Sequence, residues 1–490
     1  MFRFNSRQCF YYLSGASFLK SITIIKNAYI GYKRLLKICR KHGINLFTDY
    51  VLVLPCESEG ISRQMLQCLD WMIGHDGSSV GKAVLVITDN MEMIDNAIDY
   101  SDRITAIHYE DCATIRKLIT SYSIYSLSNR MYVGMLDPLQ GRGRIEWLKR
   151  IGISVEDIVK YGIYDVEVKE DRDKSSFAVA LQYAIASVYS IIGENVYKRV
   201  IYECSNKKVR MFIYEYSGIG DVYVFCAYLK KVIAKSHYAI NCLVVRSTIC
   251  AKVASMCGIE NVKIITNRQM KMLVYYARVA RFNDNSIVVM TPFPKRLPTD
   301  IYSHYLYGKK INMAEAYWCV LLGLDSGEFD YPSLNRDEAY VERLFETKKL
   351  RKGRTVILSP YANTINCFSE RFWSRLAKML KDRDFDVCTN ASENEEAIEG
   401  TQKIWFDLKD AEYVVDTAGY FIGIRSGFCD VICGGTGRKV VLYPEYEIFN
   451  STVYDFCSFE KMGIGRNITE IRWDFENFDT LAVKAVDAIT

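Results

Sequence analysis

The sequence predicts an α/β protein: two Rossmann-like domains preceded by an additional N-terminal α/β domain. Three observations lead there. Short apolar runs bounded by turn residues alternate with segments of helical period along most of the chain, which is the pattern of strands joined by helices in parallel sheets. A strand–helix–strand order then recurs in two successive stretches, 207–350 and 351–490, each of a size that builds one doubly wound unit. Finally, 490 residues are too many for a single hydrophobic core.

The first 170 residues carry strand-like runs at Tyr50–Leu54, Ala83–Ile87, Ile104–Tyr109 and Arg130–Leu136, with helical spacing between them. This stretch contains no Gly-x-Gly-x-x-Gly and no P-loop, so it advertises no nucleotide. The charged segment Lys169–Ser175 marks a boundary, and 171–206 reads as a helical connector with apolar residues at helical spacing over Phe177–Ile192. The next domain, 207–350, opens with the strand Arg210–Tyr214 and the turn Ser217-Gly218-Ile219-Gly220-Asp221, which leads into a helix over Val222–Ala234. Strands at 242–245, 262–265 and 287–290 follow, with helices at Ile249–Met256 and Met270–Val279 between them. The last domain, 351–490, begins with the strand Thr355–Leu358. Ser369 then caps a helix over Glu370–Lys381. Strands at Asp386–Thr389 and Trp405–Leu408, a helix over Asp410–Thr417 and a closing helix over Leu481–Ile489 complete it.

Composition excludes several classes of function. The balance of 63 basic against 58 acidic residues gives a net charge of +5, and no dense basic tract interleaved with aromatics occurs, so nucleic acid is not an expected partner. The 16 cysteines sit singly in apolar runs and form no CxxC, which fits buried, reduced thiols in a cytoplasmic protein. With five histidines and no HExxH, no metal site is expected. No signal peptide or membrane span is visible. Residues 18–40 alternate apolar positions with Lys20, Lys26, Lys33, Arg34 and Lys37. Such a helix is read first as packed on its own domain, with peripheral contact with the inner face of a membrane as the alternative.

The chemistry concentrates in Tyr420–Tyr443. A buried strand, 420–424, runs into Arg425-Ser426-Gly427 and a helix start over Phe428–Cys433. Gly434–Gly437 then breaks the chain before the strand Val440–Tyr443. A guanidinium, a hydroxyl and helix N–H groups at the end of a strand make an anion site. The plainer alternative is a tight turn whose arginine pairs with a neighbouring carboxylate. Asp430, one turn into that helix, has the wrong charge for a phosphate contact and is suited to orient Arg425 or to accept from a hydroxyl. Ser359, Tyr361 and Asn363 follow the first strand of the same domain and face the same crevice in a doubly wound sheet. Glu395, in the acidic run 393–396 after the second strand, can accept from a ribose diol, or the run is a solvated loop. Asp221 stands where a carboxylate either caps a helix or acts as a general base, with His304 and His237 as rival bases.

The Gly220-Asp221 turn after a strand, the segment SPYANTINCFSERFWSRLAKML and the segment GYFIGIRSGFCDVICGGTGRKVVLYP together resemble glycosyltransferases of the GT-B type. Within that type they are most similar to the heptosyltransferase-like enzymes of bacterial surface-polysaccharide synthesis. The resemblance implies a GT-B arrangement of the two Rossmann-like domains. It further implies transfer of a sugar from a nucleotide-diphosphate donor to a hydroxyl acceptor, with inversion and without a metal. The donor would be a co-substrate, with no bound cofactor, and the acceptor a glycan or lipid-linked glycan. The donor set would be Ser359, Tyr361, Asn363, Glu395, Arg425, Ser426, Gly427 and Asp430, with Asp221 as base and His304 as its alternative. The family's donor loop carries an Asp-Thr-Gly and a histidine where Arg425-Ser426-Gly427 and Asp430 stand here, so the resemblance leaves the sugar and nucleotide open. A GT-B epimerase and a non-catalytic sugar-nucleotide or glycan-binding subunit remain alternatives.

Overall fold

The computed structural model describes Arg34 and residues 37–44, 50–54, 84–88, 104–108, 176–204, 208–215, 218–280, 286–290, 311–362, 368–445, 447–448, 451–473 and 477–490. Two compact units emerge. The first comprises Met1–Glu215, His237–Arg246 and Ile265–Leu306, and the second Tyr216–Ser236, Ser247–Ile264 and Tyr307–Thr490.

In the first unit, β1 (Tyr50–Leu54), β2 (Val84–Thr88) and β3 (Ile104–His108) pair in parallel in that order. They lie where the apolar runs place them. The expected strand at 130–136, most of the basic segment 18–40 and the loop after residue 290 lie outside the described residues. Helix α1 spans Ser176–Glu203, within the stretch 171–206 that reads as a helical connector. Gly193 allows a close crossing inside this helix. A Cβ there would run into the Met272 carbonyl of helix α4 (Asn267–Ala280), so glycine lets the two helices approach closely.

Strand β4 (Val209–Tyr214) is followed in the chain by α2 (Ile219–Ala234), β5 (Ile240–Val245), α3 (Thr248–Met256), the short β6 (Val262–Ile264), α4 and β7 (Ile287–Met290). Within the first unit β4 pairs in parallel with β5 on one side and β7 on the other. Met211, Ile213, Cys242 and Val244 of this sheet pack with Val196 and Val200 of α1 and with Leu273 and Ala277 of α4 in one apolar core.

The second unit is organised by a six-stranded sheet. Its strands are β8 (Thr355–Ser359), β9 (Asp386–Asn390), β10 (Gln402–Ile404), β11 (Gly419–Ile424), β12 (Arg438–Pro444) and, after the small antiparallel ribbon β13–β14 (Glu447–Ile448 with Ser451–Thr452), β15 (Ile468–Trp473). All pairings in the sheet are parallel, in the spatial order β10-β9-β8-β11-β12-β15. Renumbered by appearance this is the doubly wound order 3-2-1-4-5-6, in which the winding reverses between β8 and β11. Sequence reading finds four of these strands, sets β10 three residues late at Trp405–Leu408, and misses β15. The error at β10 has a simple cause: Trp405 is apolar yet 60 % exposed, beyond the strand's end. β15 reads ITEIRW, whose charged positions hide a strand at the sheet's edge.

Helices α5 (Glu338–Lys348), α6 (Glu370–Lys381), α7 (Ala411–Ala418), α8 (Gly427–Val431), α9 (Val453–Cys457), α10 (Phe459–Met462) and α11 (Phe478–Asp487) complete this unit, which also holds α2 and α3. Ser369 caps α6 through its hydroxyl, accepting from the Phe372 N–H. α2 is buried without a break from Val222 to Leu229, which is why its apolar residues do not alternate with polar ones. No disulfide forms among the described cysteines, and most of them are buried.

Candidate functional site

Doubly wound sheets bind ligands outside the carboxyl ends of the strands that flank the reversal. In the second unit those strands are β8, ending at the buried Ser359, and β11, ending at Ile424 and continuing into Arg425-Ser426-Gly427. β8 and β11 pair with Ser359 opposite Gly423. The register therefore sets the hydroxyl of one loop beside the helix start of the other.

Helix α8 opens at Ser426, whose hydroxyl makes no capping bond to the backbone and sits 3.7 Å from the Cys429 thiol. The first N–H groups of a helix have no acceptor within it, and they carry the positive end of its dipole. The Cys429 N–H donates to the Ser426 carbonyl at 3.0 Å, which leaves the amides of Gly427 and Phe428 as the leading ones without an acceptor inside the helix.

Arg425 is committed differently. It is 5 % exposed. Its Nη1 and Nη2 fork onto the two oxygens of Asp430 at 2.9 and 2.7 Å. Nη1 also donates to the Ser426 carbonyl at 2.7 Å and Nε to the Cys457 carbonyl at 3.0 Å, and the guanidinium lies 4.8 Å over the Phe459 ring. The donors that a phosphate pair would use are thus occupied by Asp430 and two carbonyls. Burial pushes the Asp430 carboxyl up while Arg425 pulls it down, and Asp430 holds the guanidinium charged against its own burial. The pair ties the end of β11 to the first turn of α8 and to the end of α9.

The carboxylate predicted at the turn after β4 belongs to this same unit. Asp221 lies in the first turn of α2, where the N-cap Gly218 provides no side-chain cap and the Asp221 carboxylate accepts from its own backbone N–H. Asp221 Oδ1 also accepts a 3.0 Å hydrogen bond from the Tyr317 hydroxyl. Burial, and then the charge of Asp430, push the Asp221 carboxyl up to about 6, against the pull of Tyr317 and Arg425. Helix α2 reaches α8 through two glycines. A Cβ on Gly220 would strike the Asp430 carboxylate and stand 2.6 Å from the Gly427 Cα, and a Cβ on Gly427 would stand 2.6 Å from the Gly220 nitrogen. Gly220→Ala is accordingly expected to force α2 and α8 apart, lowering the melting temperature and loosening the Asp221 environment together. A melting curve indistinguishable from the wild type would contradict this packing.

The remaining expected residues are placed as follows. The Tyr361 hydroxyl donates to the Glu396 carbonyl at 2.6 Å. The Glu395 carboxylate accepts from the Ser392 N–H at 2.8 Å and its carbonyl from Lys403 Nζ at 2.6 Å, so the acidic run is a folded turn after β9, pinned by a lysine. His237 is exposed in the first unit, its ring against Tyr238. Asn363 and His304 lie outside the described residues. Tyr317 escapes sequence reading because it sits inside the apolar run AYWCVLLG. The one available signal was its hydroxyl, which needs a partner once buried. Among the described residues no group of three metal-ligating side chains converges, and no helix is long and apolar enough to cross a membrane.

No family model and no curated protein sequence matches the chain. Among solved structures, a family 9 glycosyl transferase from Veillonella parvula is similar at 12% identity and a TM-score of 0.37, over 58% of this chain and 90% of that one. The E. coli heptosyltransferase WaaC, solved with ADP-2-deoxy-2-fluoro heptose, is similar at 14% identity and a TM-score of 0.37, over 57% of this chain and 98% of its own. E. coli ADP-heptose LPS heptosyltransferase II is similar at 12% identity and a TM-score of 0.40, over 57% and 98% of the two chains. These likenesses are distant.

Proposed function

We propose that the protein is a glycosyltransferase that moves a sugar from a nucleotide-diphosphate donor to a hydroxyl acceptor. One observation carries this reading. Within a single unit, a helix start at the winding reversal of a 3-2-1-4-5-6 sheet stands against a carboxylate that burial has made a base near neutral pH.

The donor diphosphate is assigned to Ser426 and the leading amides of α8, with Ser359, Tyr361 and Asn363 on the neighbouring loop and Glu395 toward the ribose. Negative charge develops on the departing diphosphate as the glycosidic bond breaks, and fixed N–H dipoles stabilise it at no cost of reorganisation. Arg425 contributes through its brace to Asp430, which holds Ser426 and Gly427 in place. Asp221 takes the proton from the acceptor hydroxyl as the hydroxyl oxygen attacks the anomeric carbon, with inversion and without a metal. The acceptor is a glycan or lipid-linked glycan, and the protein works in the cytoplasm or at the inner membrane face in surface-polysaccharide synthesis.

The test is release of nucleoside diphosphate from a panel of nucleotide sugars by the full chain, with lipid-linked and free glycan acceptors. Turnover of at least one donor, lost in Asp221→Asn, is the expected result. No release from any donor would overturn the proposal.

A further inference from the structure

Tyr317 is a residue that neither composition nor motif singles out, yet its position is unusually well specified. It is fully buried, with its ring 5.8 Å from that of Phe225 in α2. It lies on a π-helical turn, Ala316–Leu321, a rare conformation that recurs at functional sites. The turn before it, Met313–Glu315, is locked by a reciprocal cap in which Asn312 accepts from the Glu315 N–H and Glu315 accepts from the Asn312 N–H, both at 2.9 Å. Asn312 also donates to the Lys461 carbonyl at 2.8 Å. The tyrosine hydroxyl is thereby delivered to Asp221 from 96 positions away in the chain.

The other side of the carboxylate is equally constrained. Asp221 Oδ2 lies so close over Gly218 that a Cβ on that residue would collide with it. With Oδ1 held by a hydroxyl and Oδ2 laid over bare backbone, one orientation of the carboxylate is selected. The carboxylate also accepts from the Asp221 backbone N–H, which ties it to the first turn of its own helix.

We propose that Tyr317 is a positioning residue that fixes the orientation of the Asp221 carboxylate for proton abstraction. Abstraction rests on the transferase reading, whereas the positioning itself does not. The groups facing Asp221 are Tyr317 from the π-helical turn, Asp430 from α8, Arg425 from the end of β11 and Cys457 from the end of α9. Tyr317 and Arg425 favour the ionised form, and Asp430 opposes it.

The experiment uses the full chain as wild type, Tyr317→Phe, Asp221→Asn and the double variant. Melting temperature is measured against pH from 4 to 8, and donor turnover is assayed where any nucleotide sugar is accepted. The difference between wild type and Asp221→Asn reports ionisation of Asp221 without requiring catalysis. In the Tyr317→Phe background the midpoint of that difference should move to higher pH, because a hydrogen bond to the carboxylate has been removed. The acid limb of the pH–rate profile should move with it. At the pH optimum kcat should fall about tenfold, the loss expected for one hydrogen bond of ~1.4 kcal/mol, with KM for the donor unchanged. A midpoint that stays in place, or a Tyr317→Phe penalty of the same size with and without Asp221, overturns the proposal by showing the two residues uncoupled. A midpoint that moves in a chain that turns over no nucleotide sugar leaves the positioning intact and rejects the transferase reading instead.

Discussion

Asp221→Asn should lower sugar transfer by about 10²- to 10⁴-fold, the usual contribution of a positioned general base, and should at the same time stabilise the fold at neutral pH. The second half follows from linkage. The Asp221 carboxyl titrates at about 6 in the fold against an ordinary 3.8, so the folded state binds its proton more tightly than the unfolded chain does. Its contribution to stability is complete below about pH 4 and is lost as the pH rises through 6. Above that window the ionised carboxylate costs the fold at most roughly 3 kcal/mol, because each tenfold gain in proton affinity on folding is worth about 1.4 kcal/mol. Asparagine keeps the shape and can still accept from Tyr317, but it carries no charge to bury beside Asp430. Melting curves at about pH 3.5, pH 5 and pH 8 measure this directly: the variant's gain on the wild type should be largest at pH 8, about half as large at pH 5 and close to nil at pH 3.5. In the wild type the same ionisation should appear as an acid limb near pH 6 in the rate profile. A variant that is inactive and also less stable at pH 8 would point to a structural role for Asp221.

The Arg425–Asp430 pair should show the opposite pattern, with loss of stability ahead of any loss of chemistry. Both side chains are at most 5 % exposed and their contact is bidentate. Removing one partner leaves the other charge buried without compensation, which costs about 3–5 kcal/mol. Arg425→Ala and Asp430→Ala should each lose that amount in denaturant unfolding, and the double variant should lose less than the sum of the two. Arg425→Lys should recover only part, because an ammonium does not reproduce the fork. If Arg425→Ala retained wild-type stability but lost donor binding, the guanidinium would be a phosphate ligand and the brace would be incidental.

Much of this architecture was legible in the sequence because its signals are local. Apolar runs such as Thr355–Leu358 and 420–424 become strands wherever they are buried on both faces, and Ser369 capped its helix as its residue type requires. The strand–Arg-Ser-Gly–helix turn and the glycines before Asp221 were legible for the same reason. What was hidden depends on distant partners. Nothing in the run around Gly193 shows the close helix crossing, because the deciding atom is the Met272 carbonyl. The pairing of Arg425 with Asp430, rather than with open solvent, is decided by burial under Phe459 and Cys457. Tyr317 meets Asp221 from 96 positions further along the chain, beyond the reach of any local pattern.

The central claim is that the helix start after β11 holds a nucleotide diphosphate. The most direct test is the melting temperature of the full chain titrated with ADP, UDP and GDP, with no metal added. A ligand that binds the folded state alone stabilises it by about 2.7 kcal/mol at a hundredfold excess over Kd. The account predicts a saturable rise with at least one of the three, reduced in Ser426→Ala. Flat curves for all three up to millimolar concentration would contradict it.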